Sequence, residues 1–322
     1  MRSSPPRVAH LRRAALLVLG AAVVAVSAAC TQQAPRPSTP VPAASAPPTA
    51  GQPAGRQSAA QSAAQQSFEQ LERSFGARLG VYALDTGNGA TVSYRADERF
   101  AYASTHKVFT AAAVLARTAI PDLNRRVPFG QADLVDGAPV TRDRVGAGMT
   151  VRELIDAALR YSDNTADDLL FREIGGPPGL AAFMRSLGDT TSHVDRIEPE
   201  LNVTAPGDIR DTTTARAYAA DLRSVVLGTV LPDDRRAVLT DMMRANTTGA
   251  TVIRAGVPAS WQVADKTGNA GYYATRNDIA VAWPPGRPPL VIVIFSDRPG
   301  KDDKVDDKLI AQAASVVATA FR

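Results

Sequence analysis

The chain has 322 residues, 45% of them hydrophobic, enough to bury one large core or two small ones. Its formal net charge of +4 invites a nucleic-acid or membrane-surface reading. However, six of the 36 basic residues lie within 1–66, which hold no acid, so the other 30 face all 32 acidic residues. The remainder is therefore close to neutral, with scattered arginines, which argues against nucleic acid as a partner.

Residues 1–30 read as an export signal: arginines up to position 13, then an apolar run from Ala14 to Ala29 that is short for a membrane span and ends in Ser27-Ala28-Ala29. Cys30, the only cysteine, stands where a bacterial lipoprotein is acylated. Ser27 is smaller than the aliphatic residue usual in that motif, so an ordinary signal-peptidase site is the alternative. The expected location is the cell envelope, anchored through Cys30 to the outer face of the cytoplasmic membrane, or secreted. Residues 31–66 are rich in Pro, Ala, Ser and Gln and read as a disordered tether.

The folded part is expected at 67–322. A short helix over Ser67–Arg73 precedes two strands, Ala77–Asp85 and Ala90–Arg95, joined by Asp85-Thr-Gly-Asn-Gly89. Apolar residues at helical spacing follow over Val108–Arg117, Val151–Tyr161, Thr165–Ile174, Leu180–Leu187, Thr213–Leu227 and Asp233–Met243. Strand character returns at Trp261–Asp265, Ile279–Trp283 and Leu290–Phe295, before a last helix, Lys304–Phe321. Two strands at the start and three at the end imply one five-stranded antiparallel sheet flanked by helices, an α/β lobe from about 67–103 and 245–322. The helices of about 104–244 would form an all-α lobe.

Only five lysines occur beside 31 arginines, so a lysine inside a motif draws notice. Ser104 and Lys107 are three apart and share one helix face. A serine hydroxyl is a poor nucleophile until a neighbouring base takes its proton, which an amine can do. A serine opening a helix also offers an unsatisfied backbone N–H to developing negative charge. Alone, this pair could be a capping serine with a surface lysine. Ser162-Asp163-Asn164 sits between two helices and could equally be a capping turn. Lys266-Thr267-Gly268 falls in a segment that reads as an edge strand, where glycine lets a ligand lie against the backbone. Glu198-Pro-Glu-Leu-Asn202 supplies a carboxylate that could activate water against an ester.

In this order the four motifs resemble the serine β-lactamases of class A. The resemblance covers roughly 67–322 and implies the serine β-lactamase and DD-peptidase-like fold, with small β-lactams as substrates, no cofactor, no metal, and a monomeric enzyme. It implies that Ser104, Lys107, Ser162, Glu198 and Lys266 are catalytic. Ser162 would relay a proton to the opened ring's nitrogen, and Lys266 would hold Ser162 and attract the substrate carboxylate. Asn164, Asn202, Thr267, Gly268, Asn269 and Arg276 would bind substrate or water, with the backbone N–H groups of Ser104 and Asn269 as oxyanion hole. Arg196 and Asp211 would close the omega loop carrying Glu198. Three departures stand out. His106 occupies a position usually given to phenylalanine, and reads as a packing residue. Asp168 stands for an asparagine, where a carboxylate, unless protonated or paired, would push against the loop's carbonyls and Glu198 itself. Gly137 replaces an aromatic wall of the cleft. Two alternatives stay open: a peptidoglycan DD-peptidase, which the glutamate loop disfavours, and a non-hydrolytic β-lactam sensor, which Asp168 favours.

Overall fold

The computed structural model describes residues 52–322. The expected leader with Cys30, and the tether as far as residue 51, lie outside the described residues. From the N-terminal side come α1 (Gln52–Phe75), β1 (Arg78–Asp85), β2 (Thr91–Tyr94), β3 (Arg99–Ala101) and α2 (Lys107–Arg117). The middle holds β4 (Arg126–Val127), β5 (Met149–Thr150), α3 (Val151–Arg160), α4 (Asn164–Ile174), α5 (Gly176–Ser186), β6 (Thr212–Thr214), α6 (Ala215–Val226) and α7 (Asp233–Arg244). The chain closes with α8 (Ile253–Gly256), β7 (Gln262–Asn269), β8 (Arg276–Trp283), β9 (Leu290–Asp297) and α9 (Asp307–Ala320).

The five-stranded antiparallel sheet runs in the order β2-β1-β9-β8-β7, so strands from both ends of the chain meet at β1 and β9. Both faces are covered, which explains why its central strands read as continuous apolar runs. Along β9, Leu290, Ile292 and Ile294 pack with Ala64 and Phe68 of α1 and with Leu309, Ile310 and Val317 of α9. The alternate residues Val291, Val293 and Phe295 point the other way, into the core shared with α2, α3, α4 and α6. Helix α2 lies at the centre of that second core, buried from Lys107 to Leu115.

One boundary requires correction. The helix expected at Ser67 already runs from Gln52, so residues 52–66 are not tether. Ala and Gln are sound helix formers, and the last proline, Pro53, falls in the first turn, where a missing N–H costs nothing. Ala64 and Phe68, four apart, bury against α9. The Gln61 side chain pairs with both backbone groups of Ser93 on the sheet's edge strand, at 2.7 and 3.0 Å. Among the described residues no helix is long and apolar enough to cross a membrane.

Three features of this fold set the site. A tight turn over Ala103–His106 leads into α2 and carries Ser104. Edge strand β7 lies against that turn: a Cβ on Gly268 would meet the Tyr102 carbonyl oxygen at 2.8 Å and the Thr105 methyl at 3.1 Å. Glycine is therefore needed there for strand-to-turn packing, a reason that sequence reading alone did not supply. Finally, fully buried Asp163 caps α4 at the Ala166 N–H and also accepts from the backbone of Val140 and Thr141, fixing the 162–164 connection.

Candidate active site

The four motifs converge on the Lys107 ammonium. Its Nζ donates to Ser104 Oγ at 3.0 Å, to the Ser162 carbonyl at 3.0 Å and to Asn164 Oδ1 at 2.5 Å. Glu198 Oε1 is also 3.0 Å from that nitrogen, with both side chains closed to solvent. An ammonium has three hydrogens for these four acceptors. Ser104 relieves the shortage, because its hydroxyl can donate to Glu198 Oε1 at 3.3 Å. Hydroxyl, amine and carboxylate thus form one closed triangle.

Glu198 is held from several sides. Its second oxygen accepts from Asn202 Nδ2, and its backbone N–H donates to Asp168 Oδ1 at 3.1 Å. Asn202 Oδ1 is buried and has no protein partner. An orphaned buried acceptor of this kind suits a water molecule. In the loop bearing Glu198, Arg196 Nε meets Asp211 Oδ2 at 2.5 Å. Asp211 Oδ1 accepts from the backbone of Asp195 and Arg196 and from the Tyr102 hydroxyl at 3.0 Å, which ties the loop to the residue two before Ser104.

Asp168 falls under the exception in its reading, because its carboxylate is paired with the Glu198 N–H. Burial raises its pKa, and the neighbouring Asp167 and Glu198 add to this against the N–H bond and Lys107, to about 7.

On the opposite wall, Lys266 Nζ donates to Ser162 Oγ at 2.9 Å and to the Thr267 carbonyl at 2.8 Å. Burial, then repulsion from Lys107, lowers the Lys266 pKa to about 7. Thr267 shares a hydroxyl contact with Thr248 at 2.6 Å. Asn269 ends β7 exposed to solvent, with its side-chain oxygen turned back onto the Gly271 N–H at 2.9 Å.

Two expected residues sit differently from their reading. Arg276 is engaged with Asp307 at the start of α9, through Nε at 2.7 Å and Nη2 at 3.2 Å, leaving Nη1 outside that pair. Gly137 is not simply a missing wall: its φ is +81°, and a Cβ there would lie 2.7 Å from Asn164 Nδ2. Glycine brings that loop close enough for Asn164 Nδ2 to donate to the Asp136 carbonyl at 2.7 Å. Above Asn164 and Asn202 opens a cleft of about 370 Å³, with Gly137, Pro199, Val203 and Tyr272 at its rim. A larger groove of about 1030 Å³ lies near Arg78, Asp208 and Arg298 and touches none of the motif residues. Sequence reading missed Tyr272, exposed at the rim, and Asn277, which donates to the Tyr102 carbonyl at 3.1 Å from the neighbouring strand. Neither carries a motif that could have flagged it.

Comparison with known proteins agrees with this geometry. Residues 63–321 match the model of the family described as the beta-lactamase enzyme family. The chain is 54% identical over 254 residues to a β-lactamase of Amycolatopsis lactamdurans, covering 79% of this chain and 84% of that one. It is 51% identical over 249 residues to the carbapenem-hydrolyzing β-lactamase KPC of Klebsiella oxytoca, covering 77% and 85% of the two chains. The fold is similar to the crystal structure of a class A β-lactamase from Clostridium kluyveri, with a TM-score of 0.78 and 47% identity over 80% of this chain and 98% of that one.

Asp168 yields a test of the site's electrostatics. An unfolded aspartate titrates near 3.8, whereas the folded one keeps its proton up to about 7. Between those values the folded state binds more protons, so this group's contribution to stability is lost as pH rises through that window. Asp168→Asn keeps an oxygen for the Glu198 N–H and removes the titration. Thermal unfolding is expected to show the variant stabilised by on the order of 1–2 kcal/mol near pH 8 and little changed near pH 4. Parallel pH profiles for the two proteins would show that Asp168 does not titrate in this way.

Proposed function

The chain belongs to the beta-lactamase enzyme family as a class A serine β-lactamase, and from that membership we propose how its residues share the work. The enzyme opens the β-lactam ring by hydrolysis, an antibiotic-resistance activity. In our reading Ser104 Oγ attacks the lactam carbonyl carbon while its proton passes to the Lys107–Glu198 pair. Charge gathers on the carbonyl oxygen, where the backbone N–H groups of Ser104 and Asn269 meet it. The ring C–N bond then breaks, and the nitrogen takes a proton through Ser162, which Lys266 orients. Water next attacks the ester on Ser104, giving its proton to Glu198. The penicilloic-type acid leaves as Ser104 recovers a hydrogen.

The observation that carries this reading is the position of Glu198, 3.3 Å from Ser104 Oγ and bound to Asn202, whose orphaned buried Oδ1 can hold a water beside the ester. A transpeptidase has no use for such a group. The sensor reading also loses its support, since Asp168 secures the glutamate backbone instead of repelling it. The substrates are penicillins and cephalosporins, with Lys266, Thr267 and the remaining Arg276 nitrogen facing the carboxylate and Asn164 the side-chain amide. Residues 1–30 direct export, Cys30 carries the lipid anchor, and the catalytic unit acts as a monomer.

Turnover of a chromogenic cephalosporin by the purified mature protein tests the core of this proposal. Continuous turnover is expected, and Ser104→Ala should lower it by about a thousandfold or more. Colour release limited to one equivalent per protein would instead identify a sensor. In the same assay Arg276→Ser is expected to raise KM about tenfold with a smaller change in kcat, because a carboxylate clamp serves ground and transition states alike. An unchanged KM removes Arg276 from the site. For the anchor, Cys30→Ala should move the activity from the membrane fraction to the soluble fraction with kcat unaltered. A wild-type protein already soluble would mean that the leader is an ordinary signal peptide.

A further inference from the structure

His106 lies two residues beyond the nucleophile, fully buried between the rings of Tyr102 and Phe171. Its Nδ1 is 2.7 Å from the carbonyl oxygen of Ala103, and its Nε2 is 2.7 Å from Asp167 Oδ2. A carbonyl can only accept, so Nδ1 carries a hydrogen. The contact between Nε2 and a carboxylate needs a second one. Burial opposes a charged ring here and Lys107 repels it, yet Asp167 and Glu198 outweigh both and raise its pKa. Asp167 faces the ring from α4, Glu198 from the omega loop and Lys107 from the ring's own helix. The buried carboxylate on Nε2 thus favours the charged form of the ring.

Ala103 is the residue this device acts on. Its φ is +47°, a left-handed conformation that side-chain-bearing residues seldom keep without being held. Its carbonyl and the N–H of Ser104 belong to one planar trans peptide, with the N–H directed opposite to the C=O. Whatever pins that carbonyl therefore aims that N–H.

We infer that His106, braced by Asp167, is a positioning residue that pins the Ala103–Ser104 peptide and so aims and strengthens the Ser104 N–H as oxyanion donor. The inference rests on the reading of Ser104 as nucleophile. A ring N–H donor on the carbonyl, the more so when charged, draws electron density across the peptide, making the N–H at its other end a better donor. His106 itself touches no substrate and transfers no proton. Its role is distinct from that of an apolar packing residue, because only a ring with a polar atom at each of these positions bridges Ala103 and Asp167.

The test uses the Glu198→Ala protein, in which the acyl-enzyme is expected to persist, with and without His106→Phe and Asp167→Ala together. Removing Asp167 along with His106 avoids burying an unpaired carboxylate. With isotope-labelled benzylpenicillin, the infrared stretch of the ester carbonyl should move to higher wavenumber in the triple variant, as the oxyanion hole grips it less. The acylation rate constant should fall about tenfold while the dissociation constant of the initial complex stays the same, part of the hundredfold or more expected for losing a whole donor. An unmoved ester band in a folded triple variant overturns the inference, as does a loss of affinity equal to the loss of rate. Absence of any adduct on Ser104 in the Glu198→Ala protein overturns the assignment beneath it. Nitrogen NMR of the wild-type His106 ring provides an arm independent of the variants' folding. Two ring N–H groups persisting above the ordinary imidazole value of 6.5 support the inference, and a nitrogen already bare at that pH overturns it.

Discussion

The contact between the Lys107 ammonium and the Glu198 carboxylate, 3.0 Å long and closed to solvent on both sides, sets the conditions for the groups around it. Two charges taken out of water are costly unless nearly every hydrogen and lone pair finds a partner, and breaking such a pair by removing one member costs on the order of 3–5 kcal/mol. Here the partners are the motifs themselves. Lys107 is completed by Ser104, Ser162 and Asn164, and Glu198 by Asn202 and, through its backbone, Asp168. The same bonds that make burial of the pair tolerable also bring nucleophile, amine and carboxylate within transfer distance. Substrate chemistry and the local stability of the site are consequently hard to alter separately.

Left-handed backbone at residues with side chains is found at three points on this frame. Ala103 precedes the nucleophile, Ser162 opens the Ser-Asp-Asn connection, and Asp211 closes the omega loop. Ser162 and Asp211 are held by bonds from outside their own turns, and Ala103 by a side chain at the end of its own turn. The Ala103 carbonyl takes the His106 ring, the Asp163 carboxylate anchors the turn after Ser162, and the Asp211 carboxylate gathers the backbone of 195–196, Arg196 and Tyr102. Strained conformations persist where the surroundings over-determine them, and they present functional groups that a relaxed helix or strand would turn aside.

The sheet and the motifs were legible because their signals are local. The continuous apolar run of β9, helical periodicity along α3 and α4, and four short motifs in fixed order require no knowledge of distant partners. The α1 boundary was not legible, since a Pro/Ala/Ser/Gln segment reads as tether until the α9 surface that covers Ala64 and Phe68 is known. The effect of Asp168 was not legible because it depends on whether the loop turns an N–H or a carbonyl toward it. His106 and Asp167 are separated by 61 positions, and Arg276 and Asp307 by 31, so neither pairing has a signature in the sequence. Gly137 and Gly268 looked like openings for a ligand, but each is required by a close approach within the protein itself.

The central claim is that Lys107 stands at a junction, serving Ser104 in forming the ester and Glu198 in cleaving it. Quench-flow single-turnover kinetics with benzylpenicillin separates these two rate constants in Lys107→Ala and Glu198→Gln. The account predicts that Lys107→Ala slows both steps by about a hundredfold or more. Glu198→Gln should slow ester cleavage by about a thousandfold and acylation by no more than about tenfold. Acylation at the wild-type rate in Lys107→Ala, or equal losses of both steps in Glu198→Gln, would contradict it.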